Sequence, residues 1–165
     1  MFIFSFKASS VKILSALFIC IAVGAFVVSL MPEAGYAVNV NKIPLHDTLS
    51  DISVKTSKGR IEYLETLGFA VEEKTLSSAS VTVPETFDAA TEKYNVIQKM
   101  QGFDLENYKG KKVNSYTYTV TSLPDGTNFG NDEILATLII YKNKVIAADI
   151  CSKSTGQVSG IIRTA

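Results

Sequence analysis

Few residues in this chain could carry chemistry, and its single histidine, His46, is the strongest limit on the possible reactions. Nucleophilic catalysis by serine or cysteine needs an imidazole held beside the nucleophile and a third group behind it. His46 lies in a stretch with neither helical nor strand periodicity, which predicts a solvated side chain. One histidine and one cysteine after the N-terminal apolar run are also too few ligands for zinc. The sequence therefore predicts no catalytic residue and no metal site.

Asp149 and Cys151 lie in a predicted strand, VIAADIC, and their spacing puts them on one face of it. Asp149 is expected either at a sheet edge near solvent or as a buried carboxylate with hydrogen-bond partners. A buried carboxylate beside a hydroxyl or a lysine could act as an acid or base, so a small carboxylate-based enzyme is one hypothesis. Cys151 has no evident base nearby and is expected to pack as a small hydrophobe.

Two polar segments have some features of binding sites. Lys109, Lys111 and Lys112 surround Gly110 and could attract a phosphate or an acidic partner, but a solvated turn explains them better. Residues 125–132 (DGTNFGND) hold many oxygen donors, yet they lack the acidic spacing and the final glutamate of a calcium loop. The sequence contains no glycine-rich phosphate loop. We predict no cofactor, and ligand-binding residues stay unassigned.

The charge balance argues against nucleic acid as a partner. After Met31 the chain carries 14 basic and 16 acidic residues, so the net charge of this part is −2. A nucleic-acid-binding domain needs a concentrated positive surface to neutralise phosphates. A nearly neutral domain also has little electrostatic attraction to anionic lipids or acidic polymers.

An uncharged apolar run dominates the N-terminus. Residues 13–31 (ILSALFICIAVGAFVVSLM) contain no charged side chain, and at about 1.5 Å rise per residue they reach nearly across a hydrocarbon core of about 30 Å. Lys7 and Lys12 precede the run, so the positive-inside rule predicts residues 1–12 as a cytoplasmic tail and the rest of the chain as extracytoplasmic. The sequence thus predicts a signal anchor, a transmembrane helix that holds the protein in the cell membrane as a single-pass species.

Two other fates of the N-terminus compete with an uncleaved anchor. Gly35 and Ala37 are small residues at the positions that a signal peptidase reads, so cleavage after Ala37 would release a secreted protein. The apolar region of a signal peptide usually spans about 7 to 15 residues, which favours the anchor. Lipid attachment at Cys20 is disfavoured, because bulky Ile19 stands where a lipobox needs a small residue.

A stalk and one domain follow the apolar run. Residues 32–56 mix turn-forming residues with scattered apolar ones and are predicted as a stalk. Residues 57–165 are predicted as a single extracytoplasmic domain. Cys20 and Cys151 are the two cysteines of the chain, so the domain has no pair for an internal disulfide. It must be stable through packing alone.

Two helices are predicted within the domain. Apolar residues at helical spacing indicate a helix over 58–67, with Gly68 positioned for a left-handed C-terminal cap. A second helix is predicted over 85–101, just after Pro84, with Gly102 as its C-terminal cap. The apolar stripe of this second helix consists of Phe87, Ala90, Tyr94, Ile97 and Met100.

Alternating apolar residues predict strands around 69–71, around 81–83 and over 115–122. The segments 134–141 and 145–151 are apolar on both faces or nearly so, which predicts two central strands. Tyr116 and Tyr118 share one strand face and are expected to be core residues rather than a stacking platform. Asn143 tolerates the positive φ of a tight hairpin, which predicts an antiparallel turn at this residue. Residues 103–112 are predicted as a loop with one irregular turn, and residues 153–165 either fray or add a short edge strand.

These elements together predict an α+β fold. The short links between the last three strands favour an antiparallel meander. We expect an antiparallel sheet of about four to five strands with two helices packed on one face, preceded by one N-terminal transmembrane helix.

The chain resembles an uncharacterised family, domain of unknown function 4830. The resemblance rests on six motifs: IEYLETLGFAV (61–71), VPETFD (83–88), YNVIQKMQGFDL (94–105), YKGK (108–111), YTYTV (116–120) and VIAADICS (145–152). It implies a single-pass protein of Gram-positive bacteria with a small outer domain, and it brings no activity, substrate or catalytic residue. The sequence departs from the family pattern at Phe69, where tryptophan is expected, at Ala147 and Ala148, where glycines are common, and after Ser152.

Three functions are compatible with these observations. The leading hypothesis is a non-enzymatic, membrane-anchored binding or interaction module whose partner is a component of the cell envelope, such as a protein. The alternatives are the small carboxylate-based enzyme and a sensory domain, although a cytoplasmic tail of 12 residues leaves little room for an output domain. Nucleic acid is not an expected partner.

Overall fold

The fold was obtained as a computed structural model, which describes Leu49, residues 51–124 and residues 132–162. The helices are α1 (Ser57–Thr66) and α2 (Ala89–Met100), followed by a 3-10 turn (Leu105–Tyr108). The strands are β1 (Ala70–Val71), β2 (Ser77–Thr82), β3 (Lys112–Ser122), β4 (Ile134–Tyr141), β5 (Lys144–Ser152) and β6 (Val158–Gly160).

All described strands belong to one antiparallel sheet. Strands β3, β4, β5 and β6 follow one another as a meander, while β1 and β2 both pair with the outer edge of β3. The α+β class and the antiparallel sheet are therefore confirmed, with six strands among the described residues instead of four to five. The extra strand is β6, the short edge strand that was one of two expectations for the tail. The 3-10 turn is the irregular turn predicted within residues 103–112.

The β4–β5 hairpin forms as predicted. Lys142 and Asn143 occupy the turn with φ of 46° and 69°, which suits the two-residue turns that match the twist of flanking strands. The register pairs Thr137 with Asp149 and Leu138 with Ala148. Because successive side chains alternate between the two faces of a strand, this register fixes which β5 residues meet each helix.

The two helices pack on opposite faces of the sheet, so the prediction that both cover one face is wrong. The face of Ala136 and Leu138 packs against Leu64 of α1. The face of Ala147 packs against Tyr94 of α2. Central strands β4 and β5 are apolar on both sides and need cover on both. One helix on each face removes both apolar surfaces from water.

Helix α2 differs from its prediction in its start and in its buried face. It begins at Ala89 rather than at 85, because the Asp88 side chain accepts a hydrogen bond from the Thr91 backbone N–H at 2.8 Å and caps the helix there. The predicted stripe is also rotated. Met100 is 66% exposed, and the buried side chains of α2 are Tyr94, Asn95 and Gln98.

Helix α1 closely follows its prediction over 58–67, and Gly68 takes the expected positive φ of 87°. It crosses the preceding segment at very short range, since a Cβ at Gly59 would lie 1.8 Å from the Ser53 carbonyl oxygen. Only glycine permits that approach. Leu49 and Val54, which lie within the predicted stalk, are buried in the same core as α1.

Gln98 of α2 and Gln101, the C-terminal cap of this helix, bond to backbone groups of the sheet where β6 ends. Gln98 Oε1 accepts from the Ala148 N–H at 3.0 Å, and Gln101 Nε2 donates to the Ala148 carbonyl at 3.0 Å. Gln101 Oε1 also accepts from the N–H groups of Ile161 and Ile162 at 2.7 and 2.9 Å. These side chains satisfy buried backbone groups that would otherwise need another strand.

Several predictions lie outside the described residues. They are the transmembrane helix at 13–31, the tail at 1–12, the possible cleavage after Ala37, most of the stalk with His46, and most of the loop 125–132. Among the described residues, no helix combines the length and apolar character that a membrane crossing requires.

Replacing Gln101 with methionine tests the hydrogen bonds of this glutamine. Gln101→Met keeps the length and approximate volume of the side chain, but it orphans buried polar groups of Ala148 and Ile161. We expect the free energy of unfolding to fall by about 2 to 4 kcal/mol, measured by urea denaturation. Met100→Ala, an exposed change in the same turn, should alter it little. If the two variants changed the free energy of unfolding equally, a stabilising role for the Gln101 hydrogen bonds would be contradicted.

Candidate functional site

A cavity with a volume of about 270 Å³, hereafter the α1 cavity, lies on the sheet face that α1 covers. Its walls come from the segment before α1, from α1 itself, from Phe103 and from the β4–β5 turn. The lining residues are Leu49, Ile52, Val54, Tyr63, Phe103, Asn143, Lys144 and Val145. A concave, mainly apolar site with few polar groups is the usual form of a small-molecule site.

Tyr63 supplies a phenol group to the wall of the α1 cavity. It lies on the inner side of α1, next to Leu64, and is only 4% exposed. Burial raises the pKa of Tyr63 to about 12, because a phenolate would lose its hydration. The residue is therefore neutral across the physiological pH range, and its hydroxyl can donate or accept a hydrogen bond.

A second, shallower hollow of about 150 Å³ lies on strands β2 and β3. It is lined by Ser78, Ala79, Ser80, Asn114 and Tyr116. Ser78, Ser80 and Asn114 are exposed, so a molecule there would keep much of its contact with water. The α1 cavity is the better candidate site because most of its lining residues are buried: Leu49, Val54, Tyr63, Phe103 and Val145.

Arg60 fastens α1 to the sheet as a buried cation. Its Nε donates to the Tyr118 hydroxyl at 2.8 Å, and its Nη1 donates to the carbonyls of Val54 and Lys55 at 3.2 and 3.0 Å. Its guanidinium carbon lies 3.7 Å from the ring centroid of Tyr116. The salt bridges found among the described residues do not include Arg60. Carbonyls, a phenol and an aromatic face therefore hold its charge.

Tyr118 is the centre of this contact and is fully buried. Burial pushes its pKa upward, but hydrogen bonds with Ser57, Thr75 and Arg60 outweigh that effect and lower the pKa. The prediction that Tyr118 belongs to the core is confirmed. Tyr116 is half-buried beneath the guanidinium of Arg60, so its ring contacts a cation of the same chain.

Asp149 is a buried carboxylate rather than a residue at the solvent edge. It is 6% exposed, and its Oδ2 accepts a hydrogen bond from the Tyr94 hydroxyl at 2.7 Å. Burial raises the pKa of Asp149 from its ordinary value of 3.8 to about 6, and the bond from Tyr94 opposes only part of that shift. Asp149 lines neither of the two hollows, so it pairs with a helix residue inside the core.

Cys151 is also part of the interior, as expected for a packed thiol. It is 3% exposed and sits in the register opposite Val158 of β6. Its Sγ lies 3.5 Å from the Ser152 carbonyl oxygen. Burial keeps this thiol away from solvent and from dissolved reagents.

The lysine-rich turn does not form a phosphate cradle. The Gly110 N–H donates to the Val83 carbonyl and the Lys111 N–H to the Tyr108 carbonyl, both at 2.9 Å. The Lys109 ammonium lies 4.5 Å from the ring centroid of Phe87. Both N–H groups are already used, whereas phosphate binding needs free ones. Lys111 and Lys112 are exposed, which fits the solvated turn that the sequence favoured.

Metal ligands do not gather in the part of the chain that the structure describes, where no group of three or more suitable side chains occurs. Asp132 is the one residue of the oxygen-rich segment 125–132 within this part. Its Oδ1 accepts from the Ser154 N–H at 3.0 Å, and its Oδ2 accepts from the Ser152 hydroxyl. Hydrogen bonding to Ser152 lowers the pKa of Asp132 despite the opposing effect of desolvation. This carboxylate thus caps a turn.

Sequence analysis did not single out Arg60 or Tyr63 as residues of interest. Both lie on the buried side of α1, with Leu64 four residues after Arg60 and Leu67 four residues after Tyr63. The spacing is present in the sequence, but arginine side chains are usually exposed to solvent, so the residue type does not predict burial. The position of the cavity depends on how a loop and a hairpin turn meet, which no local pattern encodes.

Comparison with known proteins gives one match. A family model described as a domain of unknown function (DUF4830) matches residues 63–150. Curated proteins and solved structures give no match. The matched range contains Tyr63, Phe103 and Val145 of the α1 cavity and the Tyr94–Asp149 pair. It ends before Cys151 and β6.

The buried carboxylate predicts an unusual pH dependence. The pKa of Asp149 is higher in the folded chain than in the unfolded chain, so its favourable contribution is complete below about pH 4 and is lost as pH rises through about 6. Asp149→Asn cannot ionise and keeps an acceptor for Tyr94. We expect it to raise the free energy of unfolding relative to wild type by up to about 3 kcal/mol at pH 7, with no gain at pH 4, in urea titrations.

Asp88→Asn is the matched control for this titration. Hydrogen bonds from Thr91 lower the pKa of Asp88, so its contribution is present at neutral pH and lost as pH falls. The two variants should therefore show opposite trends with pH. The raised pKa would be contradicted if the free energies of unfolding of wild type and Asp149→Asn differed by the same amount at pH 4 and at pH 7.

Proposed function

The chain belongs to the DUF4830 family of domains of unknown function, and we propose that it is a membrane-tethered, extracytoplasmic binding module without catalytic activity. The observation that carries this proposal is the α1 cavity of about 270 Å³, enclosed mainly by apolar side chains. The partner would be a component of the cell envelope, because that is where the proposed tether would hold the domain.

The N-terminal sequence supports the tether. Residues 13–31 are uncharged and as a helix reach nearly across a hydrocarbon core, and Lys7 and Lys12 lie on the predicted cytoplasmic side. Cleavage after Ala37 is the alternative, and it would leave the same domain as a secreted protein. Both routes put the binding site outside the cytoplasm.

The cavity supports binding through its size and lining. An engineered cavity of about 150 Å³ lined by leucine, isoleucine and phenylalanine binds benzene. The α1 cavity is larger than that, and Val54, Phe103 and Val145 in its walls are each less than a tenth exposed. A small apolar molecule would gain from leaving water for such a site.

The position of Asp149 favours binding over the carboxylate-based enzyme. General acid–base catalysis needs the acid or base within hydrogen-bond reach of the substrate. Asp149 is 6% exposed, bonds to Tyr94, and lines neither of the described hollows. A substrate would have to separate α2 from the sheet to reach it.

Protease accessibility tests the proposed topology. The full chain with a C-terminal tag is expressed in a Gram-positive host, and trypsin is added to intact protoplasts. We expect the tag to fractionate with the membrane and to be digested, because the domain faces outward, while a cytoplasmic reporter survives. The topology would be contradicted if the tag in the membrane fraction resisted trypsin while known external proteins of the same protoplasts were digested. A soluble product that starts at Val38 would favour the secreted form.

Fluorine NMR tests binding in the α1 cavity. The full chain is held in phospholipid nanodiscs, with empty nanodiscs as a blank, and titrated with para-fluorotoluene. We expect saturable binding that Ile52→Phe weakens by about tenfold or more, because the larger ring fills the cavity. Leu76→Phe adds the same ring at a site that is 52% exposed in wild type and should change nothing. Absence of saturable binding to the wild-type chain would contradict the proposed function.

A further inference from the structure

Tyr63 is the one tyrosine among the described residues that line the α1 cavity. It is 4% exposed. The other buried tyrosines of the described residues have partners within the chain: Tyr94 bonds to Asp149 and Tyr118 to Arg60. Buried tyrosine hydroxyls normally have a partner, which is protein, ligand or water.

We infer that the cavity binds a small neutral molecule with an apolar body and one hydrogen-bonding oxygen, and that this oxygen pairs with the Tyr63 hydroxyl. The inference rests on the proposed function and specifies its ligand. The apolar walls take the body, and the single phenol selects the polar group. A hydrogen-bonding group in an otherwise apolar site favours a ligand that can pair with it over an isostere that cannot.

The charges around the cavity favour a neutral ligand. Among the described residues that line it, none is acidic and Lys144 is the one cation. Lys144 pairs with Tyr141 in the hairpin register, whereas the next residue, Val145, pairs with Ile140. Since neighbouring residues alternate faces, the Lys144 side chain leaves the sheet on the side away from the cavity wall that Val145 forms. An ionised ligand would lose hydration there without a counter-charge.

Size restricts the ligand further. The cavity volume of about 270 Å³ exceeds the roughly 150 Å³ that accommodates benzene, but it lies below the usual range of about 300 to 1,000 Å³ for drug-sized ligands. A single ring with a short substituent, or an aliphatic alcohol or ketone of similar size, fits these limits. Phe103 and Tyr63 offer aromatic surface to such a molecule.

An isosteric pair of probes tests the role of Tyr63. The full chain in nanodiscs is titrated with para-fluorophenol and with para-fluorotoluene, which replaces the hydroxyl by a methyl group. We expect Tyr63→Phe to weaken para-fluorophenol binding by about 3- to 10-fold, the effect of one hydrogen bond. The same variant should leave para-fluorotoluene binding within about twofold, because the cavity shape is kept.

Two controls keep the inference falsifiable. Tyr108→Phe, a half-buried tyrosine outside the cavity that contacts Tyr141, should leave both probes unaffected. The carbon NMR signal of the Tyr63 ring carbon that bears the hydroxyl should shift with para-fluorophenol and not with para-fluorotoluene in the wild-type chain. This second measurement needs no variant, so it decides the matter even if Tyr63→Phe folds poorly.

The outcomes separate the two claims. If Tyr63→Phe affects both probes equally or neither, the role of Tyr63 is overturned while binding in the cavity stands. If para-fluorobenzoate binds more tightly than para-fluorophenol, the ligand is an anion and the neutral class is overturned. If no probe binds the wild-type chain, the proposed function itself fails.

Discussion

The central hairpin of this domain, strands β4 and β5, is apolar on both of its faces, and the rest of the described fold follows from the need to bury both. Leu138 and Ala148 pair on one face, and Ile139 and Ala147 pair on the other. Burial of apolar surface is the main favourable term in folding. Helix α1 covers the first face and α2 the second, which is why helices flank the sheet on both sides instead of forming one layer.

The two helices meet this requirement with different chemistry. Helix α1 approaches closely through Gly59 and places a guanidinium, that of Arg60, among aromatic rings and carbonyls. Helix α2 and its C-terminal cap use polar side chains, with Gln98 and Gln101 bonded to Ala148 at the sheet edge. The buried polar groups of this domain thus join helices to sheet, and the hollow beside Tyr63 is where the cover of α1 is incomplete.

Local patterns in the sequence were enough to predict most elements. A run that is apolar on both faces gave the range of β4, the positive-φ tolerance of Asn143 gave the hairpin, and Gly68 and Gly102 marked both helix ends. The placement of α2 could not be predicted in this way. Glutamine is usually solvent-exposed, yet Gln98 and Gln101 are buried and bond to residues far along the chain. Tyr94 and Asp149 likewise meet only through the tertiary fold.

Xenon uptake is the most direct test of the claim that the cover of α1 leaves a ligand-sized apolar cavity. Xenon enters dry apolar cavities, so a crystal of the full chain under xenon pressure should show an ordered xenon atom between Val54, Phe103 and Val145, with none between α2 and the sheet at Asp149. A crystal in which protein side chains fill the space beside Tyr63, with no xenon at that position, would contradict the cavity and the binding role built on it.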